Sequence, residues 1–177
     1  KLPDVLRASK FSVKCVVRVT PDDMFVYDIF DSKEDVVMGG LAVDIGTTTV
    51  SAVIIDMATG EILAKSSSGN GQIRYGADVI NRIIETTKPG GIKKLQDAVI
   101  KETINPMIHE MCRSIHFPES QIYRMCVASN TTMNHLFAGI NADPLRTEPY
   151  IPAFFKTNSL FASDVGVDIN KDAHIIM

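Results

Sequence analysis

The chain has 177 residues, of which 45% are hydrophobic and 22% are charged, and its formal net charge is −3. This composition is ordinary for a globular protein with one domain, or one domain and an appendage. The acidic balance gives no reason to expect a nucleic acid or an anionic membrane as a partner. Since the sequence contains neither a signal peptide nor an apolar run near the roughly 20 residues that span a bilayer, a cytoplasmic location is expected.

Residues 1–38 are predicted to form a separate β-rich piece, which is a linker or part of an upstream domain. Apolar and polar side chains alternate over Phe11–Thr20, which indicates a half-buried strand. After a short turn, Met24–Phe30 predicts the returning strand, and the charged stretch Asp31–Asp35 follows. A second domain is predicted for residues 39–177. The hairpin is too short to be stable alone, and it shows no chemistry.

The segment Leu41–Val50 predicts a buried strand, a tight turn and the beginning of a second strand. Gly46 lets the backbone approach a ligand closely, while successive amides and threonine hydroxyls form a concavity that binds anions, above all phosphate. Asp44 would be an oxygen ligand for the Mg²⁺ that accompanies nucleotide phosphates, directly or through water. For this segment alone, a plain hairpin without a ligand is the alternative. The candidate anion-binding residues are Gly46, Thr47, Thr48 and Thr49.

The strands after this turn support the phosphate interpretation. A second apolar strand ends at Ile55, a polar turn over Asp56–Gly60 closes it with a glycine that can take positive φ, and Glu61–Ser68 predicts a third strand. An Asp-x-Gly-Thr-Thr turn between the first two strands of such a meander resembles the first phosphate loop of the actin-like ATPases. That superfamily includes sugar kinases, heat-shock chaperones and actin.

Two helices are predicted after the meander and a flexible loop at Ser66–Gln72. The second is the long amphipathic stretch from Ile92 to about His116, with a kink or break at Pro106. Arg74 and Arg82 are assigned to solvated faces, although either could meet a phosphate or a partner's carboxylate. The first helix carries apolar residues at helical spacing: Val79, Ile80, Ile83 and Ile84.

A second polar turn follows the apolar strand Ile122–Ala128. Ser129–Thr132 predicts a strand-to-helix turn, in which Asn130 or Thr131 caps a helix that ends at Gly139. The N-terminus of a helix offers free N–H groups and a partial positive charge to an anion, whereas a plain cap without a ligand is the alternative. The order β-β-β-α-α-β-α predicts an α/β fold with a mixed sheet and helices packed on it.

Three segments come in order along the chain: Gly40–Ala52, Tyr75–Ile83 and Ala128–Leu136. Together they resemble the ATPase domain of reductive activators of corrinoid proteins. Activators of this family carry an N-terminal two-iron ferredoxin domain, a linker and a C-terminal actin-like domain. The resemblance covers residues 40–152. It implies that residues 39–177 adopt the N-terminal half of an actin-like ATPase (ribonuclease H-like) fold, truncated at the C-terminus.

The resemblance also implies roles for particular residues. In the actin-like architecture the fourth strand lies alongside the first, which would bring the two polar turns together. Catalytic roles then fall on Asp44, which would also be the magnesium ligand, and on Asn130. The segment Tyr75–Asp78 would shape the cleft or a protein interface, or simply begin a helix. The implied contacts to ATP are Gly46, Thr47, Thr48, Thr49, Thr131 and Thr132.

The function implied by the resemblance is the ATP-dependent reactivation of a corrinoid protein. ATP and Mg²⁺ are the expected cofactors, and the electron would come from a two-iron iron–sulfur cluster outside this chain. A homodimer through the ATPase domain is a further expectation. The alternatives are a small-molecule kinase of the same superfamily and a nucleotide-gated interaction module. The chain begins without methionine and stops in an apolar run, so it is expected to be a fragment that lacks the adenosine pocket and binds ATP poorly.

The cysteines and histidines are predicted to have no role in the chemistry. Cys15, Cys112 and Cys126 lack the spacing of a cluster or zinc site and are expected to be inert buried thiols. Surface or packing roles are assigned to the four histidines, which show no metal-ligand spacing: His109, His116, His135 and His174.

Overall fold

The computed structural model of the protein describes residues 2–157 and 160–177. Contacts between Cα atoms divide the chain into two compact units, Lys1–Met38 and Gly39–Met177. Each unit has its own sheet, and the second unit combines helices with a mixed sheet, which confirms the predicted α/β class. None of the helices in the described residues is both long and apolar enough to cross a bilayer.

The first unit contains a short helix and a β-hairpin, and its elements are α1 (Leu2–Ala8), β1 (Val13–Val19) and β2 (Met24–Asp31). β1 and β2 pair antiparallel, as the alternating sequence predicts. Val16 and Phe30 are the apolar side chains that become buried among the described residues of this unit. The helix α1 was not predicted, because its 7 residues are too few for hydrophobic periodicity to indicate a helix.

The second unit is built on a sheet of six strands: β3 (Gly39–Ile45), β4 (Thr49–Asp56), β5 (Ile62–Gly69), β6 (Ile122–Ser129), β7 (Leu160–Phe161) and β8 (His174–Ile176). Their spatial order is β5-β4-β3-β6-β8-β7. β3, β4 and β5 form an antiparallel meander. β6 runs parallel to β3, and β8 runs parallel to β6. The centre of the sheet is therefore a pair of parallel strands whose carboxyl ends share one edge.

The helices of this unit are α2 (Val79–Thr86), α3 (Gly91–Val99), α4 (Asn105–Ser114), α5 (Thr131–Ala138) and α6 (Ala162–Val165). One face of β3, β4 and β6 packs with them, and side chains such as Leu41, Leu95 and Ile108 share a single buried cluster. On the opposite face of these strands, Asp44 and Cys126 are exposed. The alternation along β3 thus places Asp44 on the open face of the sheet.

The kink predicted at Pro106 takes the form of a π-helical turn. The segment Ile100–Ile104 joins α3 to α4 with π geometry, and the amide of Asn105 donates to the carbonyl of Ile100. Pro106 then lies in the first turn of α4, where its missing N–H is tolerated. The helical path is therefore widened one turn before the proline.

The cysteines differ from one another in exposure. Cys112 is buried, and burial raises the pKa of its thiol to about 11, with a smaller contribution from the carboxylate of Glu119. Cys15 and Cys126 are exposed, so the expectation that all three thiols are buried was wrong for these two. Both lie on strands that have one uncovered face, and an apolar neighbourhood in sequence does not show which face a residue occupies.

Candidate functional site

The two polar turns of the sequence lie at the same edge of the sheet. β3 and β6 are parallel neighbours, and Ile45 at the end of β3 pairs with Ser129 at the end of β6. Gly46 and Asn130 follow these two residues directly. Because neighbouring strands are about 4.8 Å apart, the turn after β3 and the N-terminus of α5 begin side by side.

The turn between β3 and β4 is tight because of Gly46. Its amide donates to the carbonyl oxygen of Thr49 at 2.9 Å. A Cβ atom at position 46 would lie 2.7 Å from the same oxygen, which is closer than real Cβ contacts. Only glycine therefore fits this turn.

The donors of this turn are unused among the described residues. Within residues 2–157 and 160–177, the amides of Thr47 and Thr48 make no hydrogen bond, and neither do the hydroxyls of Thr47, Thr48 and Thr49. Thr48 and Thr49 are exposed, and Thr47 is half-buried. Unpaired amides and hydroxyls next to one another are the donor set that binds a phosphate.

Three carbonyl groups of the turn, in contrast, accept hydrogen bonds from residues that lie later in the chain. The carbonyl of Gly46 accepts from Asn70 Nδ2 at 2.8 Å, and the carbonyl of Thr48 accepts from the backbone amide of Asn70 at 2.8 Å. The carbonyl of Thr47 accepts from Arg82 Nη2 at 2.5 Å. Because the C=O and N–H groups of a trans peptide point in opposite directions, the amides of Thr47 and Thr48 face away from these contacts.

Asp44 lies two residues before the turn on the open face of the sheet. Its register neighbours are Ser51 on β4 and Ala128 on β6. These residues line a cavity of about 260 Å³ together with Cys126. The carboxylate is exposed and makes no hydrogen bond to the described residues, so its oxygens remain available to a hard cation such as Mg²⁺.

The turn after β6 begins a helix, as predicted. Asn130 is the N-cap of α5, and its Oδ1 accepts from the amide of Met133 at 2.9 Å. Gly139 ends the helix in the left-handed conformation, with φ of 70°. Asn130 and Thr131 are exposed beside the first turn, whereas Thr132 is buried. The burial of Thr132 argues against its predicted contact with a ligand.

Three buried polar residues behind the turn were not predicted as part of the site: Asn70, Gln72 and Arg82. The segment Ser66–Gln72 was expected to be a flexible loop, but β5 continues to Gly69 and a 3₁₀ turn follows, whose N-cap is Asn70. The side-chain amide of Gln72 donates to the carbonyl of Leu95 at 2.9 Å, which ties this segment to α3.

The assignment of Arg82 to a solvated face was wrong. Arg82 is 0% exposed, whereas Ile80 is 54% exposed and Ile84 is 39% exposed. The buried face of α2 contains the polar side chains of Arg82 and Thr86 as well as the apolar Ile83. Polar side chains therefore lie on the face where an amphipathic helix would normally have apolar ones. Val79, Ile83 and Thr86 lie at i−3, i+1 and i+4 relative to Arg82, and this helical spacing was the signal that could have placed the arginine on the buried face.

The segment Tyr75–Asp78 begins α2 and also contacts Arg82. Asp78 is the N-cap, and its Oδ1 accepts from the amide of Asn81 at 2.8 Å. The carbonyl of Gly76 accepts from Arg82 Nε at 2.9 Å, and a Cβ at position 76 would lie 2.8 Å from the Arg82 amide. Arg82 therefore links this segment to the Gly46–Thr49 turn.

His135 has the packing role that was predicted. It is buried in α5, where Nδ1 lies 2.8 Å from the carbonyl of Thr131 and Nε2 accepts from the amide of Ala153 at 3.0 Å. With Nε2 as the acceptor, this hydrogen-bond pattern fits the tautomer in which Nδ1 donates to the carbonyl of Thr131. Its ring stacks on Phe154.

The second unit matches a known protein family. The sequence profile described as "RACo middle region" matches residues 39–177. The "Corrinoid activation enzyme RamQ" of Eubacterium limosum is 33% identical over 132 residues, which are 74% of this chain and 22% of that protein. A solved structure described as "Reductive activator for corrinoid,iron-sulfur protein" is similar with a TM-score of 0.87 and 35% identity, covering 98% of this chain and 28% of that one.

The chain therefore spans 22% to 28% of the length of these two relatives. Similarity at these identities, over most of the chain, indicates common ancestry with corrinoid activation enzymes. Because the family profile covers residues 39–177, which is more than half of the chain, the protein belongs to the RACo middle region family.

Proposed function

We propose that residues 39–177 form the N-terminal half of an actin-like ATPase domain. The longer protein that contains them would use ATP to return an oxidised corrinoid protein to its reduced, active state. The observation that carries this proposal is the turn Gly46–Thr49, in which the amides of Thr47 and Thr48 and the three threonine hydroxyls are unpaired among the described residues while the carbonyls are engaged. The names of the two relatives, an activation enzyme and a reductive activator for corrinoid proteins, support the choice of partner.

Each exposed polar residue of the edge has a part in this proposal. The amides of Thr47 and Thr48 and the hydroxyls of Thr47, Thr48 and Thr49 bind phosphate oxygens, as a nest of backbone donors does. Asn130 and Thr131, at the N-terminus of α5, contact the terminal phosphate from the neighbouring strand end. The carboxylate of Asp44 holds Mg²⁺ directly or through water, and the cation neutralises part of the phosphate charge.

The cysteines of this chain do not suit an iron–sulfur cluster. Cys15 and Cys126 are exposed in different units and Cys112 is buried, and the described residues contain no group of three or more potential metal ligands. The two-iron cluster that would deliver the electron is therefore assigned to another part of the longer protein. The role of this chain would be to supply the wall of the ATP site that binds phosphate and Mg²⁺.

The test compares Asp44→Asn with Glu61→Gln in the longer protein, since Glu61 is exposed at the opposite end of the β4–β5 hairpin. Loss of the Asp44 charge is expected to lower ATP hydrolysis about 100-fold, because one charged group at the reacting phosphate has an effect of this size. Glu61→Gln should hydrolyse ATP like the wild type. ATP hydrolysis and reduction of the corrinoid, followed by its visible absorbance, should fall together.

Two outcomes would contradict the proposal. Full hydrolysis by Asp44→Asn would remove Asp44 from the site. Transfer of the γ-phosphate to a small molecule, with no corrinoid reduction in the presence of a reductant, would identify a kinase on this scaffold instead.

A further inference from the structure

Arg82 lies directly behind the phosphate turn and touches three parts of the site. Its Nη2 donates to the carbonyl of Thr47 at 2.5 Å, and its Nε donates to the carbonyl of Gly76 at 2.9 Å. Its Nη1 lies 3.2 Å from Gln72 Oε1 and 3.4 Å from the sulfur of Met133 in the first turn of α5. A single side chain thus joins the turn after β3 to α2 and to the helix after β6.

The charge of this guanidinium is buried without a carboxylate partner. Among the described residues, every group that accepts a hydrogen bond from Arg82 is neutral. Asp78 is the carboxylate whose charge acts on it, but the oxygens of Asp78 accept from Asn81. Glu85, also buried on α2, pairs with Lys88. Burial lowers the pKa of Arg82 and Asp78 opposes this, yet an arginine stays protonated at any physiological pH.

Burying a cation without a counter-charge costs free energy. A functional role for Arg82 would explain why this cost is retained. The planarity of the peptide group shows which backbone groups of the turn the Arg82 charge affects. In a trans peptide the C=O and N–H groups point in opposite directions, and the carbonyl of Thr47 belongs to the same peptide as the amide of Thr48. Arg82 therefore binds one end of this peptide dipole, and the other end is an N–H that is free among the described residues.

We propose that Arg82 is a positioning residue and the counter-charge of the phosphate turn, which rests on the proposed function of that turn. It fixes the peptide between Thr47 and Thr48 with its amide outward, and it adds a positive potential that stabilises an anion far more than a neutral ligand. Asn70 holds the preceding peptide in the same way, through the carbonyl of Gly46, but without a charge. Arg82 should thus favour a polyphosphate over a neutral ligand of the same cleft.

The first experiment measures binding of ATP and of uncharged adenosine, in the presence of Mg²⁺, to the longer protein by calorimetry. Arg82→Gln is expected to weaken ATP binding at least tenfold and to leave adenosine binding within twofold of the wild type. Arg74→Gln is the control, because Arg74 is exposed on the adjacent 3₁₀ turn and pairs with Glu102. Equal loss for ATP and adenosine, or no loss for ATP, would overturn the counter-charge role.

The second experiment separates charge from shape with Arg82→Lys. A lysine at this buried position has a depressed pKa and loses its charge as the pH rises, whereas arginine does not. The groups that accept hydrogen bonds at this position are neutral, and the charged group that acts on it is the carboxylate of Asp78. ATP affinity of Arg82→Lys is expected to fall at least fivefold between pH 7 and pH 9.5, relative to wild type. A constant ratio would overturn the proposal, even if Arg82→Gln does not fold.

Hydrogen–deuterium exchange separates this inference from the proposed function. Without any ligand, the amide of Gly46, whose hydrogen bond to the Thr49 carbonyl closes the turn, should exchange faster in Arg82→Lys than in the wild type or in Arg74→Gln. An unchanged rate would overturn the positioning role. Failure of the wild-type protein to bind either ATP or inorganic tripolyphosphate would refute the proposed function, while the exchange result on the turn would still stand.

Discussion

The two turns of the β3–β4–β5 meander differ in how their backbone groups are bound. The turn Asp56–Glu61, at one end, satisfies itself locally: Asp56 Oδ1 accepts from the amide of Ala58 at 2.9 Å, and Gly60 donates to the carbonyl of Asp56 at 2.8 Å. The turn Gly46–Thr49, at the other end, is held by Asn70 and Arg82, which come 24 and 35 residues later.

This difference is the one we expect between a turn that only connects strands and a turn that binds a ligand, as proposed for Gly46–Thr49. In the Asp56–Glu61 turn, side chains of the turn itself accept from the amides of Ala58 and Glu61 and from the hydroxyl of Thr59. In the Gly46–Thr49 turn, distant side chains hold the carbonyls and the amides of Thr47 and Thr48 stay free among the described residues. Preorganised donors bind an anion without first giving up a protein contact.

The largest effect should come from adding one methyl group to each turn. Gly46→Ala places a Cβ 2.7 Å from the backbone oxygen of Thr49, so the turn must open and lose its closing hydrogen bond. We expect a loss of about 3 kcal/mol in the free energy of unfolding. Gly60→Ala meets no atom within 4 Å and suffers only from its φ of +78°, for a cost of about 1 kcal/mol.

Urea unfolding of the two variants measures this contrast. The midpoint should fall further for Gly46→Ala, with the same slope for both, since neither variant changes the surface exposed on unfolding. Equal losses would show that the Gly46 turn has room to relax, and the comparison of the two turns would then fail.

A smaller effect is expected from removing the side chain that supports each turn. Asn70→Ala leaves the carbonyl of Gly46 without its buried donor, which should cost about 2 kcal/mol. Asp56→Ala removes a cap from a partly exposed turn, where water can replace it, for about 0.5 kcal/mol. Thermal unfolding of the 177-residue chain measures both losses of stability. Equal losses would mean that Asn70 stabilises its turn no more than Asp56 does.

The same contrast explains what the sequence could predict. The positive φ of Gly60 and the helix end at Gly139 depend on neighbouring residues and were predicted from them, and Asn130 was one of the two N-caps that the sequence offered with Thr131. The partners of the Gly46 turn are distant in sequence, and composition alone made the segment that contains Asn70 look like a loop. Periodicity also misplaced Arg82, because two isoleucines of α2, Ile80 and Ile84, are exposed.

The burial of individual residues in the sheet was equally hard to predict from the sequence of a single strand. The apolar neighbours of Cys126 suggested a buried thiol, whereas alternation places it on the open face that also carries Asp44. Which face is covered depends on the helices that pack on the other side. The position of Asp44 beside Ala128 likewise follows from the pairing of β3 with β6, which joins residues 84 positions apart.

The smallest effect should be the response of the isolated 177-residue chain to anions. Its donors come from one wall of the proposed cleft, so tripolyphosphate and ATP should both bind only at millimolar concentration and stabilise the chain by about 1 kcal/mol or less. Amide resonances of Thr47 and Thr48 should shift on titration with tripolyphosphate, while those of Ala58 and Gly60, already bonded in the opposite turn, should not. Low-micromolar binding of ATP would contradict this, because it would mean that the Gly46–Thr49 edge is a complete site on its own.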